Sequence, residues 1–163
     1  MTLSVYSGGV NIFATSNISS VSTATMSILS STQIAQLDTS QINALSSTQV
    51  AAISSKVITA LTSTQIAAFG SAQAEGFKAE QLNALSASLT SVLGYLSNNV
   101  ISNLDTSQIA SLSTKTLATL STSQVKAFTA SEVAALTSSQ ISGLSAAAIN
   151  GMGTADIVLI SSS

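Results

Sequence analysis

Cysteine, histidine, tryptophan, proline and arginine are all missing from this chain of 163 residues, and its only charges are four lysines and six acidic residues. Each absence closes a class of function. Without cysteine there is no disulfide and no redox compartment to be read. Without cysteine and histidine, a soft or borderline metal has no ligands and a haem has no axial histidine or thiolate. The carboxylates are scattered, whereas a hard cation needs them clustered. No metal and no cofactor are therefore expected. Four cations against a net charge of -2 exclude an electrostatic nucleic-acid binder. They exclude a polybasic membrane anchor for the same reason. No apolar run approaches the ~18 residues of a membrane-spanning helix, so no membrane insertion is expected. The N-terminus lacks the basic and apolar regions of a Sec signal peptide.

What remains is 45% hydrophobic and only 6% charged, the reverse of a disordered composition. Serine and threonine make up about a third of the chain, so solubility rests on hydroxyls. These residues recur in eights. The unit Leu29-Ser30-Ser31-Thr32-Gln33-Ile34-Ala35-Gln36 closes on Leu37, which opens the next unit. Large apolar anchors follow at Leu45, Ile53, Leu61, Phe69, Phe77 and Leu85, then at Leu96, Leu104, Leu112, Leu120, Phe128, Leu136, Leu144, Met152 and Ile160. Read backward, the phase reaches Val21, Phe13 and Val5. A short unit repeated nearly end to end predicts a one-dimensional array rather than a globule with a pocket.

An α-helix turns by about 100° per residue, so eight residues overshoot two full turns by about 80°. An apolar stripe of that period winds around a continuous helix and cannot stay on one buried face. Each octad must therefore break the helix, and the sequence supplies the break. Ser30, Asp38, Ser46, Thr62, Asp105, Ser121 and Thr137 each stand three residues before a glutamine, and Thr129 stands three before Glu132. This is the capping-box spacing that starts a helix. The Ile or Val after each glutamine lies three residues before the next anchor, so both project to one face. The expected fold is all-α, a solenoid of short capped helices that are too short to be stable alone and must stack. The alternative is a β-solenoid, since Ser, Thr, Ile and Val tolerate strands; the lack of period-two alternation speaks against it. The position before each anchor is often alanine (Ala44, Ala52, Ala60, Ala68, Ala84, Ala127, Ala135), which suits close backbone approach.

The expected organisation is a degenerate N-terminal region over 1–28, an octad array over 29–85, an irregular junction over 86–96, a second array over 97–160 and a tail over 161–163. Val5 to Ile12 reads as a hairpin around Gly8-Gly9. The anchor step from Leu85 to Leu96 is eleven residues instead of eight, and Glu80 to Leu96 reads as one helix of about four turns. Either three residues are inserted into a continuous array, or two subarrays meet at a hinge. The stretch from Phe69 to Ala79, with Gly70 and Gly76, reads as the loosest of the interior.

Chemistry-bearing patterns are sparse, and catalysis is not expected. Ser123-Gln124-Val125-Lys126 has the Ser-x-x-Lys spacing of penicillin-recognising enzymes, but the companion Ser-Asp-Asn and Lys-Thr-Gly elements are missing. Asp38 and Asp105 sit at cap positions, which explains them. Gly151-Met152-Gly153 lacks the pattern of a phosphate loop. Asn17-Ile18-Ser19 is a formal glycosylation sequon in octad phase. The hydroxyls have two readings: they cap helices and keep the surface wet, or they line up as a ladder that binds ice, a polysaccharide or another chain.

Both termini are apolar, with Val5, Tyr6, Val10, Ile12 and Phe13 at one and Ile157, Val158, Leu159 and Ile160 at the other. A solenoid that stays monomeric usually ends in polar capping repeats. Contact between two such ends is heterologous and does not close, which gives filaments, with strand addition as one form of the joint. The expectation is a homopolymer with these nine residues as the assembly interface. The unit [Ser/Thr]-x-x-Gln-[Ile/Val]-x-Ala-Leu, best kept from Leu29 to Leu144, resembles the octad arrays of large bacterial surface and secreted repeat proteins, some labelled adhesins or haem-utilisation proteins. Asp156 to Ser163, an acid followed by aliphatics and small residues, resembles the uncleaved C-terminal signals of type I secreted bacterial proteins. The resemblance implies an extracellular or cell-surface structural protein with no catalytic residues to carry over. A glycan- or ice-binding surface module is the alternative.

Overall fold

The computed structural model describes residues 6–7, 10–11, 15–87 and 92–161; side chains are described from residue 18, apart from those of 92, 93, 155, 159 and 161. The chain opens with a two-stranded antiparallel hairpin, β1 (Tyr6–Ser7) and β2 (Val10–Asn11), in which Tyr6 pairs with Asn11 and Ser7 with Val10. A 3-10 turn follows at Thr15–Ser20. Everything after it is short helix. The first group is α1 (Thr23–Ser27), α2 (Ser31–Ala35), α3 (Thr39–Asn43), α4 (Ser47–Ala52), α5 (Ser55–Ile58), α6 (Ser63–Ala67), α7 (Ser71–Ala74) and α8 (Ala79–Ala87). After a second 3-10 turn at Val92–Tyr95 come α9 (Asn98–Ile101), α10 (Thr106–Ala110), α11 (Thr114–Ala118), α12 (Thr122–Val125), α13 (Ala130–Ala134), α14 (Ser138–Gly143), α15 (Ala146–Gly151) and α16 (Thr154–Ser161). The fold is an all-α array of stacked repeats; beyond the hairpin, the described residues hold no strand.

Each octad folds by the same local logic. In α2 the cap Ser30 is extended at φ -80° and ψ 162°, its Oγ accepts from the Gln33 amide at 3.3 Å, and Gln33 Oε1 accepts from the Ser30 amide at 2.8 Å. Reciprocal boxes of this kind form at all eight positions where the spacing predicts them. The helix ends as the anchor amide bonds three residues back, Leu37 to the Ile34 carbonyl at 3.3 Å, and the next cap residue turns extended. The apolar pair of each unit points inward: Ile34, Ile42, Ile66 and Ile109 are fully buried, and so are the anchors Leu37, Leu45, Leu61 and Phe69.

The sequence does not reveal how many octads make one coil; the packing does. Helix α1 lies on α4, α2 on α5, α4 on α7, α9 on α12, α10 on α13, α11 on α14, α12 on α15 and α13 on α16. Three octads thus make one coil, and one apolar column runs through the stacked coils. The eleven-residue step does not interrupt the stack, because α5 packs on α8, α7 on α9 and α8 on α11. The single four-turn helix expected over Glu80 to Leu96 is not what forms. Helix α8 is described over Ala79–Ala87 and Val92–Tyr95 is a 3-10 turn, with 88–91 outside the described residues. The stretch expected to be loosest is in fact tightly packed. Phe69 and Phe77 meet edge-on with ring centroids 5.0 Å apart, and Gly76 is buried against the backbone of Ser47. Its glycine serves close packing rather than freedom. The apolar C-terminal unit is a helix rather than a strand: Asp156 Oδ2 accepts from the Gly153 amide at 3.1 Å, the Ile157 amide bonds the Gly153 carbonyl at 3.1 Å, and α16 lies on α13.

Candidate functional site

The distinctive chemistry of this chain lies between coils, and it belongs to the glutamines. The capping box uses only their amide oxygen. The amide nitrogen of the same side chain is buried and donates to the coil below. Gln65 Nε2 donates to the carbonyls of Leu37 at 2.6 Å and Ala35 at 3.2 Å; Gln73 Nε2 to Leu45 at 2.8 Å and Asn43 at 2.7 Å; Gln81 Nε2 to Ile53 at 2.6 Å and Val50 at 2.8 Å. Gln49, Gln124 and Gln140 bond in the same way, to Val21, Leu96 and Leu112. The acceptor is the anchor carbonyl 28 residues back, so one side chain starts a helix and ties two coils together. Gln108 crosses the eleven-residue step, and its acceptor Phe77 lies 31 residues back. The register grows by the three inserted residues. Among the described residues Gln41 Nε2 has no partner, and the repeat places its acceptor at residue 13, outside the described set.

Besides the slots of Thr25, Val57, Val100 and Asp156, which also lack a glutamine, three depart from this rule. Thr116 occupies one and is too short to reach across. The coil below reaches up instead: Asn83 Oδ1 accepts from the Ser113 amide at 2.9 Å and from Thr116 Oγ1 at 2.6 Å, and Asn83 Nδ2 donates to the Ser111 carbonyl at 3.2 Å. The tie is inverted, not lost. Asn83→Ala is therefore expected to cost about 1–2 kcal/mol by urea denaturation, with much less in a Thr116→Gln background. An equal cost in both backgrounds would refute the inversion. Glu132 occupies the second slot. Its Oε2 accepts from the Thr129 amide at 2.5 Å, but Oε1, in a residue only 2% exposed, has no partner. Ala148, fully buried, occupies the third and brings no amide.

The residue before each anchor sets how closely coils approach. A Cβ on Gly76 would lie 2.1 Å from the Ser47 carbonyl oxygen, one on Gly151 2.3 Å from Thr122 Cγ2, and one on Gly143 3.0 Å from Thr114. Each contact joins residues 29 apart, from one coil to the next. Where that position holds a large side chain, it points to solvent: Ile28 is 80% exposed and Tyr95 54%. Neither was singled out in the sequence, although both stand where alanine is otherwise the rule.

Of the nine predicted assembly residues, Val5, Ile12 and Phe13 lie outside the described residues, and Tyr6 and Val10 form the hairpin backbone. Ile157 and Val158 are exposed, Ile160 is half-buried against the core, and the side chain of Leu159 lies outside the described set. The structure thus brings Ile157 and Val158 together on α16 and turns Ile160 inward.

The other candidates resolve locally. Asp38 and Asp105 are helix caps, accepting from the amides of Gln41 and Gln108 at 2.8 and 2.7 Å. Ser123 is an exposed residue of α12, and Lys126 caps the end of that helix. Met152 is a buried anchor between Gly151 and Gly153. Exposed hydroxyls do not form one unbroken ladder. With three octads per coil, the edge carrying Ser31 and Thr32 continues through Lys56, Glu80 and Ala130, and the edge carrying Ser47 and Thr48 through Ala72, Asn98 and Ala146. The edge carrying Thr39, Ser40, Ser63 and Thr64 continues through Thr114, Lys115, Ser138 and Ser139. A shallow open groove of about 290 Å³ lies between α10 and the turn before α8, lined by Glu75, Phe77, Lys78, Asp105 and Gln108 among others. Among the described residues no cluster of carboxylates is placed to hold a metal, and no helix is long and apolar enough to cross a membrane.

Fold and interface together define a helical repeat protein whose units are octads stacked three to a coil. Residues 101–138 match the family model of the ALTTAQ repeat. No curated protein and no solved structure matches the chain.

Proposed function

We propose that this chain is a structural building block, a rigid stack whose coil-on-coil face also joins one copy to the next, head to tail, in an extracellular filament or surface matrix. The observation that carries this reading is the pair of exposed aliphatics Ile157 and Val158 on α16, in the outermost described coil, with the exposed Ile28 on the first. Apolar side chains at opposite ends of a stack make a heterologous contact that propagates instead of closing. The chain itself is the partner in this reading, and the location outside the cell follows from the resemblance to secreted octad arrays. Among the described residues Lys56, Ala72, Glu80 and Lys115 interrupt the hydroxyl edges, which supports assembly over ice or polysaccharide binding.

The test is sedimentation velocity and negative-stain electron microscopy of the full chain over a concentration series. Fibres of uniform width that grow with concentration are expected. Ile157→Asp with Val158→Lys, or Ile28→Lys alone, should leave monomers, since these exposed side chains contribute little to folding. A wild-type chain that stays monomeric at the highest concentration would overturn the proposal.

A further inference from the structure

The ties between coils are unevenly distributed. The coil made of α6, α7 and α8 sits on its neighbour through three amide donors, Gln65, Gln73 and Gln81. The four slots from α13 to α16 hold Glu132, Gln140, Ala148 and Asp156, and only Gln140 donates to the coil below. At Glu132 the tie is not merely missing. By the repeat, the carbonyls of Ile101 and Leu104 are the ones a glutamine nitrogen in this slot would reach, whereas Glu132 brings a buried, unpartnered oxygen and no donor. A buried group without its partner carries its full desolvation cost. Asp156 is turned back on its own helix, to the Gly153 amide. Gln140 aside, the described contact between these helices and the coil below is packing around Val133, Ala148, Ile149 and Met152, with Gly143 close against Thr114 and Gly151 against Thr122.

In a stacked array, stability is a sum of unit terms and nearest-neighbour terms, so a weak joint localises opening. We infer that the joint beneath α13 is a release point built into the array: residues 130–161 open as one cooperative unit while the coils before them stay closed. Opening uncovers the apolar face of the α10–α12 coil and the anchor carbonyls on it. The joint lies within one chain, but the unit it releases carries Ile157 and Val158 of the proposed assembly contact, so it is read on the monomer.

Hydrogen exchange of the full chain, read by mass spectrometry at a concentration where it is monomeric, tests it. Amides of 130–161 are expected to exchange together and well before those of 63–87. Glu132→Gln restores the donor in the same shape and should raise protection of 130–161 about tenfold. Gln140→Glu should lower it by at least about a hundredfold, and neither should move 63–87. Uniform protection from α6 to α16, or Glu132→Gln without effect on 130–161, would overturn the inference.

Discussion

Gln81→Glu is expected to destabilise the array by about 3 kcal/mol or more, although it replaces one nitrogen by one oxygen. Gln81 is 1% exposed. Its Oε1 accepts from the Lys78 amide at 2.7 Å, a role that glutamate keeps. Its Nε2 donates to the carbonyls of Val50 and Ile53 at 2.8 and 2.6 Å, a role that glutamate inverts. The substitution sets a carboxylate oxygen against two carbonyl oxygens where water does not reach. The control is Gln33→Glu. Gln33 is half-buried, and its amide oxygen accepts from the Ser30 amide at 2.8 Å. A negative charge there sits at a helix N-terminus, which favours it slightly. The urea midpoint should fall sharply for the first variant and hardly at all for the second. Equal shifts would mean that the glutamines act as helix caps alone and that the inter-coil bonds contribute nothing.

Gly76→Ala is expected to cost about 3 kcal/mol, the upper range for overpacking. The added carbon would lie 2.1, 2.7 and 2.8 Å from the carbonyl oxygen, carbonyl carbon and Cα of Ser47. All three are backbone atoms, so no rotamer change relieves the clash. Helix α7 would have to lift from α4, undoing Gln73's bonds to Asn43 and Leu45 beside it. Gly94→Ala provides the comparison: its nearest neighbour would be the Thr119 carbonyl oxygen at 4.0 Å, and its effect should stay within about 0.5 kcal/mol. A thermal melt of the two variants separates them. A Gly76→Ala protein as stable as the wild type would show that coils do not approach as closely as the packing here requires.

Much of the local structure is legible in the order of residues, because capping is a short-range matter. A hydroxyl or Asp three residues before glutamine both starts a helix and, at the next unit, stops the preceding one, so all eight boxes can be placed by eye. Burial of Ile34 with Leu37, or Ile109 with Leu112, follows from three-residue spacing. The N-terminal hairpin follows from Gly8-Gly9 between β-prone residues. The C-terminal unit misleads by the same kind of reasoning. Ile157-Val158-Leu159-Ile160 reads as β-prone, but packing of α16 on α13 prevails over a weak propensity. Gly76 misleads too, since a glycine beside charged residues looks like slack in a sequence and is a contact in the fold.

The amino-acid order by itself determined that the backbone must break every eight residues, where each break falls and which side chains turn inward, because those are consequences of helix geometry and hydroxyl chemistry within one unit. Only the tertiary structure decided that three octads close one coil, that the glutamine nitrogen reaches the carbonyl 28 residues back, and that Asn83 serves where Thr116 cannot. Those bonds join residues that are distant along the chain and adjacent in space. Their partners are backbone carbonyls, which every residue carries alike, so no side-chain pattern marks which one will be chosen.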